Sequence, residues 1–263
     1  MILDLHTHTR HSHDGFTSPD ELLAACIARG VSAVAVTEHD LPCAVDPAPF
    51  AARGIELIPG CEFTDANDAH IVGLFVRKGL PMRLPSEAVL DHIRVEGGLA
   101  VMPHPWKPCS GFMAMGGDVR LAGRFDFIEF INGGWRSGEH AASIVRLASE
   151  HGLRMISSSD SHKASQVGLC CTRIATAAKG AGARAALDSA RQEDIEMLID
   201  RYVLAKHGRR SNAVQQSAPY QALLPIIPQR LRRMVKLARY RAGAERHARP
   251  PNFERVDAGS STW

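Results

Sequence analysis

The chain has 263 residues, 45% hydrophobic and 22% charged, with a net charge of +3, so it is long enough for one large domain with a sizeable core and lacks an extreme charge. No apolar run reaches the length of a membrane span, and the N-terminus runs directly into a strand without a signal peptide. The six cysteines (Cys26, Cys43, Cys61, Cys109, Cys170 and Cys171) form no Cys-x-x-Cys pair, which argues against a zinc ribbon or a thioredoxin-like site and suits a reduced, cytoplasmic protein.

Ile2 to Leu5 is an apolar run that reads as a buried strand, followed by His6 and His8. Their spacing of two puts both imidazoles on one side of an extended backbone, an arrangement suited to a divalent metal. The next loop adds Arg10, His11, His13, Asp14 and Gly15. Ser18-Pro19-Asp20-Glu21 opens a helix with a cap, a proline in the first turn and two acids at the positive end of the dipole. Leu22, Leu23, Cys26 and Ile27 form its apolar face, and Gly30 stops it. Val31 to Val36 is a continuous apolar strand running into Thr37-Glu38-His39-Asp40. A short helix around Phe50 precedes a strand from Ile55 to Pro59, which leads into Gly60-Cys61-Glu62-Phe63-Thr64. His70 to Val76 is a further strand, with its histidine at the start.

A helix is expected over Pro85 to Glu96, with Ser86 near the cap, and Gly97-Gly98 ends it. Leu99 to Met102 is a strand ending in Pro103-His104-Pro105, and Gly111 to Gly123 reads as an irregular loop or short helix. Phe125 to Ile131 is a strand ending in Asn132-Gly133-Gly134, with Glu129 alternating against apolar neighbours. The glycine pair has no phosphate-loop pattern around it. Glu139 to His151 is a helix with Ile144, Val145, Leu147 and Ala148 as its stripe. Leu153 to Ile156 is a strand running into Ser159-Asp160-Ser161-His162, and Ala183 to Tyr202 reads as a last helix.

Alternating strands and helices define an α/β class with about seven strands. Ligand-type residues follow nearly every strand: His6, His8, His39, Glu62, His104, Asp160 and His162, with His70 alone preceding its strand. In a barrel of parallel strands the C-terminal ends share one face, so these residues would converge on one mouth. Residues 1–205 are therefore expected to be the metal-binding barrel. Residues 206–263 are expected to be a basic extension packing on it, with a short helix from Pro228 to Arg241 and disorder after Pro250-Pro251. The alternative for the basic tail is contact with a phosphate-rich partner.

In this order, Asp4-Leu5-His6-Thr7-His8-Thr9 with Ser12 and Asp14-Gly15, Thr37-Glu38-His39-Asp40, Gly60-Cys61-Glu62-Phe63-Thr64, His70-Ile71-Val72-Gly73-Leu74, His104-Pro105 and Ser159-Asp160-Ser161-His162 followed by Gly168 and Thr172 make a strong match. The chain resembles the PHP family, the polymerase and histidinol phosphatase domain, over roughly residues 1–172. The resemblance implies a distorted (βα)7 TIM-like barrel holding two or three divalent metals, zinc, manganese or iron. Its implied ligands here are His6, His8, Asp14, His39, Glu62, His70, His104, Asp160 and His162, with Glu62 as the natural bridge. Two positions depart from the pattern: Glu38 stands where many members have Asp, and His13 could replace Asp14 as a ligand.

The chemistry that follows is metal-dependent phosphoester hydrolysis. Neutral imidazoles with few carboxylates leave a net positive site once dications bind, and paired metals lower the pKa of a bridging water. Asp14, Glu62, His70 and Asp160 are the expected catalytic residues; Arg10, Asn132 and Arg136 are expected at the substrate. His11 and His13 are candidates for protonating the leaving alcohol. The expected substrate is a small phosphorylated metabolite or nucleotide, with an oligonucleotide also compatible. The rival readings are a metal-dependent amidohydrolase and a non-catalytic accessory module of a nucleic-acid enzyme.

Overall fold

The structure, a computed structural model, describes residues 1–134, 138–175, 180–201 and 253–257. Its centre is one ten-stranded mixed sheet that curls on itself. Strand β1 (Ile2–Thr7) lies parallel to β2 (Ala33–His39), and β2 parallel to β3 (Glu56–Thr64). Strand β4 (His70–Leu74) is antiparallel to β3 and to β5 (Leu99–Met102). Strands β6 (Phe127–Asn132) and β7 (Arg154–Ser158) continue parallel to β5. The chain beyond β7 returns to β1 through a Thr7–Ser161 bridge, with the His8 N–H donating to the Ser161 carbonyl at 2.8 Å.

An apolar cluster fills the curl below the strand ends. It takes Leu3 and Leu5 from β1, Ala33 and Ala35 from β2, Ile58 from β3, Val72 and Leu74 from β4, Leu99 and Val101 from β5, Phe127 from β6 and Ile156 from β7. Side chains from seven successive strands meeting in one buried cluster make a packed floor rather than a pore.

The helices cover the outside. Helix α1 (Pro19–Arg29) has the expected start and stop: Ser18 Oγ accepts the Glu21 N–H, the Glu21 carboxylate accepts the Ser18 N–H, and Gly30 turns left-handed at φ 66°. The short α2 (Ala48–Ala51) buries Phe50. Helix α3 (Ser86–Val95) starts one residue later than expected, with Pro85 at the cap position, because the Ser86 hydroxyl donates to Asp65 instead of capping. Helix α4 (Ala141–His151) buries Ile144, Leu147 and Ala148, while Val145 is only half-buried.

Four expectations are corrected. First, β3 and β4 form a hairpin with no helix between them, so a uniform seven-unit βα repeat does not describe the chain. Second, Ala183–Tyr202 is not one helix. Helix α5 (Ala183–Ser189) ends at Ala190, and Ile195–Asp200 is strand β9. Ile195, Met197, Leu198 and Ile199 are buried in it, and sheet packing overrides their capacity for helix. Third, β9 pairs with a strand absent from the sequence reading, β8 (Cys170–Ile174), which runs antiparallel beside the first half of β1. Fourth, disorder after Pro251 gives way to strand β10 (Phe253–Val256), paired along β9 with Val256 buried. The basic helix expected over Pro228 to Arg241 lies outside the described residues.

Candidate metal centre

The site stands on the strand ends above the apolar floor, and the antiparallel β4 explains its one irregularity. A strand that runs against its neighbours starts where they finish. The pairing of Thr64 with His70 therefore sets the first residue of β4 beside the last of β3. His70 precedes its strand yet reaches the same mouth.

Glu62 is the hub. It is fully buried, and five imidazoles meet its carboxylate. His70 Nδ1 and His104 Nε2 lie 2.7 and 3.1 Å from Oε1. His6 Nε2, His8 Nε2 and His39 Nδ1 each lie 3.2 Å from Oε2. Asp160 Oδ1 faces His6, His8 and His162 at 3.5 to 3.7 Å. Asp14 faces His39 at 3.5 Å and His162 at 3.1 Å. All nine residues expected as ligands are thus gathered in one cluster. His13 is exposed, with its ring 4.9 Å from that of His39.

Two of the nine hold left-handed backbone: His104 at φ 28° and Asp160 at φ 47°. Non-glycine residues adopt this region at a cost of order 1–3 kcal/mol, and such positions cluster at functional sites. Small neighbours make room for Asp160: a Cβ on Gly133 would come within 2.6 Å of the Ser159 carbonyl oxygen, and one on Gly134 within 2.7 Å of Asp160 Oδ2.

A carboxylate behind the cluster fixes its proton positions. Glu129, buried in β6, accepts from His6 Nδ1 at 2.9 Å and from Ser158 through Oε1. Its Oε2 accepts from the His104 N–H at 2.8 Å and from Asn132 Nδ2 at 2.7 Å. With the proton on His6 Nδ1, its Nε2 presents a lone pair toward Glu62 Oε2. His162 repeats the pattern: Nδ1 donates to the Asp160 carbonyl at 3.0 Å, leaving Nε2 toward Asp14. Lone pairs aimed at carboxylate oxygens need a proton or a metal ion between them. Glu62 Oε2 and His104 Nδ1 are buried without a hydrogen bond, so the donor set fits divalent metals. Four groupings place three ligand atoms close enough to share an ion: His8, His39 and His162; His6, His104 and Asp160; His6, His8 and Glu62; and His39, Glu62 and His70.

The electrostatics of the bare cluster are strained in the same sense. Burial works against a charged His8, yet the Asp160 and Glu62 carboxylates carry its pKa up to about 9. Burial brings His104 down to about 4, helped by the nearby Lys107 ammonium, and holds His39 well below the ordinary value in spite of Glu62. Burial would raise Glu62, but His70, His6 and His39 keep it well below the usual carboxylate range. One carboxylate thus holds some imidazoles charged while burial keeps others neutral.

Asp4, Ser12 and Glu38 stand in the motifs that carry the resemblance without an assigned role there, and Lys107 stands outside them. Asp4, fully buried, accepts the Ser159 N–H at 3.0 Å and the Gly168 N–H at 2.7 Å, tying the Asp160 loop to β1. Its place two residues before His6 was the available signal. Ser12 Oγ lies 3.2 Å from His8 Nδ1 and accepts the His39 N–H at 3.0 Å. Lys107 Nζ lies 3.4 Å from Asp160 Oδ2. Glu38 accepts the Thr9 N–H and hydroxyl, so its extra methylene relative to Asp serves a loop contact. Of the residues expected at the substrate, Arg10 is exposed on the loop after β1. Asn132 is buried, with its amide bonded to Glu129 and its carbonyl oxygen accepting the Gly134 N–H at 2.9 Å. Arg136 lies outside the described residues.

A curled α/β sheet carrying a His-, Glu- and Asp-rich cluster at its strand ends offers a ligand set for divalent metal ions. The chain belongs to the PHP domain family, whose sequence profile matches residues 4–199, and whose members include metal-dependent phosphoesterases and nucleases. An uncharacterized protein of Methanocaldococcus jannaschii is 30% identical over 120 residues, 41% of this chain and 70% of that protein. A 5'-3' exoribonuclease of Haemophilus influenzae is 42% identical over 83 residues, so the match spans only 30% of either protein. Among solved structures, a two-domain protein of Bacteroides vulgatus containing a predicted PHP-like metal-dependent phosphoesterase shares the fold. Its TM-score is 0.59 at 20% identity, covering 75% of this chain and 64% of that one. Among the described residues, no helix is long and apolar enough to cross a membrane.

Proposed function

We propose that this protein is a metal-dependent phosphoesterase that hydrolyses a small phosphorylated metabolite or nucleotide. The observation that carries the reading is Glu62, a buried carboxylate with five imidazoles at 2.7 to 3.2 Å shared over its two oxygens. A carboxylate so placed suits a bridge between cations. His6, His8, Asp14, His39, Glu62, His70, His104, Asp160 and His162 would hold two or three divalent ions, zinc, manganese or iron. When bound, the ions supply Lewis acidity toward phosphoryl oxygens and an activated water.

The protein's own residues do the rest. Glu129 holds the His6 ring in one tautomer, and Asp4 fixes the loop that presents Asp160. Asp14, Glu62, His70 and Asp160 are the residues in closest reach of the reacting atoms. Arg10 and Arg136 are the candidate phosphate clamps. Asn132 acts through Glu129 rather than at the substrate, since its amide is already committed there.

The exoribonuclease relatives make an oligonucleotide a compatible substrate. Against the amidohydrolase alternative, the hub between the imidazoles is a glutamate and not a lysine. The test is phosphate release from a panel of monoesters, diesters and single-stranded RNA, using protein whose metal content has been measured. Turnover of a phosphate ester is expected; hydrolysis of amides alone, or of nothing at any metal loading, would overturn the reading.

A further inference from the structure

We infer that Lys107 is a phosphate-binding residue, placed beside the metal cluster to take a non-bridging oxygen of the phosphoryl group. The inference deepens the phosphoesterase reading and rests on it.

The placement is built into the backbone. His104 lies two residues past the end of β5, and the chain folds straight back: the Lys107 N–H donates to the His104 carbonyl at 2.9 Å. The Lys107 carbonyl in turn accepts the Gly111 N–H at 2.6 Å and the Ser110 N–H at 3.3 Å. A Cβ on Gly111 would lie 2.5 Å from the Lys107 nitrogen, so the turn closes tightly only with glycine there. This turn brings the ammonium to the outer oxygen of Asp160. The two oxygens of Asp160 then divide their work. Oδ1 faces the imidazoles of His6, His8 and His162 at 3.5 to 3.7 Å, while Oδ2 faces Lys107 at 3.4 Å.

The ammonium is not used up by that contact. It carries three N–H donors, and 3.4 Å is a long hydrogen bond that occupies at most one of them. The side chain is 28% exposed, so part of it reaches solvent while the ammonium faces the Asp160 carboxylate. Space beside the same Asp160 oxygen is held open by Gly134, an exposed residue whose absent Cβ would have stood 2.7 Å from Oδ2. Once cations draw on the Asp160 charge, an incoming phosphate dianion offers the ammonium a second anionic partner beside Asp160. A lysine acts there as a point charge and does not require one fixed approach angle.

The experiment is calorimetric titration of inorganic phosphate into metal-loaded protein, comparing wild type with Lys107→Met, Lys107→Gln and Lys107→Arg. The expected result is phosphate affinity at least about tenfold weaker in the Met and Gln variants and partial recovery in the Arg variant, with metal content and melting temperature unchanged. Phosphate affinity equal to wild type in the Met and Gln variants overturns the inference. Loss of bound metal in both also overturns it, because Lys107 would then belong to the assembly of the cluster. Turnover is measured in parallel. Wild type that hydrolyses phosphate esters while the variants bind phosphate normally removes only the role of Lys107. Wild type that neither hydrolyses esters nor binds phosphate removes the phosphoesterase reading beneath it.

Discussion

Replacing Glu129 by glutamine changes one atom of the site's support and leaves its volume alone. The carboxylate accepts four donors, two per oxygen: His6 Nδ1 and the Ser158 hydroxyl on Oε1, the His104 N–H and Asn132 Nδ2 on Oε2. Burial opposes its ionisation, but the adjoining His6 ring, with the hydrogen bond it donates, outweighs burial and holds the carboxylate below its ordinary value. An amide must present its NH2 to one of these pairs. On the Oε2 side it meets the backbone N–H of His104, which cannot invert. On the Oε1 side Ser158 can rotate, but His6 must move its proton to Nε2 and lose the lone pair it offers toward Glu62. One buried donor left unsatisfied costs ~1–3 kcal/mol, and loss of such a carboxylate–histidine contact weakens metal binding about 10- to 100-fold. Glu129→Gln should therefore bind metal about 10- to 100-fold more weakly in competition with a chromophoric chelator, and the metal-free protein should melt at a lower temperature. Metal affinity equal to wild type would refute the reasoning, since it would mean the His6 tautomer is set by something else.

Further outcomes follow from the same geometry. Elemental analysis of protein purified without chelator should find at least two divalent ions per chain; one or none counts against the cluster as a metal centre. His8→Ala and Asp160→Asn should each retain the circular dichroism of wild type while losing more than nine-tenths of hydrolysis, a barrier change above ~1.4 kcal/mol. Burial raises the Asp4 carboxyl from 3.8 to about 6, despite the hydrogen bonds it accepts from Ser159 and Gly168. The folded state then binds more protons than the unfolded state between these values. Asp4's contribution to stability is accordingly greatest at the acid end and is lost as pH rises through about 6, a change of order 3 kcal/mol. Denaturant titrations of wild type and Asp4→Asn at pH 4.5 and 7.5 should differ in that direction, and a pH-independent difference would dismiss it. Removing residues 251–263 should lower the melting temperature and promote self-association, because β9 loses its β10 partner along four paired residues and becomes an open edge. Unchanged melting would mean that pairing contributes little.

The ligand set was legible because it depends on residue type and on strand ends, and both are written locally. His6 and His8 show the period of two, Ser18 and Glu21 write out the start of α1, and Gly30 its end. What was hidden depends on partners distant in sequence. Nothing local distinguishes Ile195–Asp200 from the end of a helix. Its strand form comes from lying between β8 and β10, and β10 begins more than fifty residues later. The direction of β4 was equally hidden, because an apolar run carries no sign of whether its neighbour runs with it or against it.

The contact between His6 and Glu129 shows how such distant pairings reach the chemistry. These residues are 123 positions apart and sit on strands at different points of the curl. Each strand is irregular at just this place. In β1 the register against β2 shifts between Asp4 and Thr7, and in β6 the register against β7 shifts between Glu129 and Ile131. A bulge adds one residue to one strand of a pair and re-aims the side chains beyond it. In β1 it allows Leu5 to join the apolar floor while His6, the very next residue, reaches the metal cluster. Strict alternation would have sent one of the two to the opposite face of the sheet. The β6 shift lies beyond Glu129, which ordinary alternation already turns to the same face as Phe127 of the floor, so it is the β1 bulge that keeps the floor packed and still brings the His6 imidazole within 2.9 Å of that carboxylate.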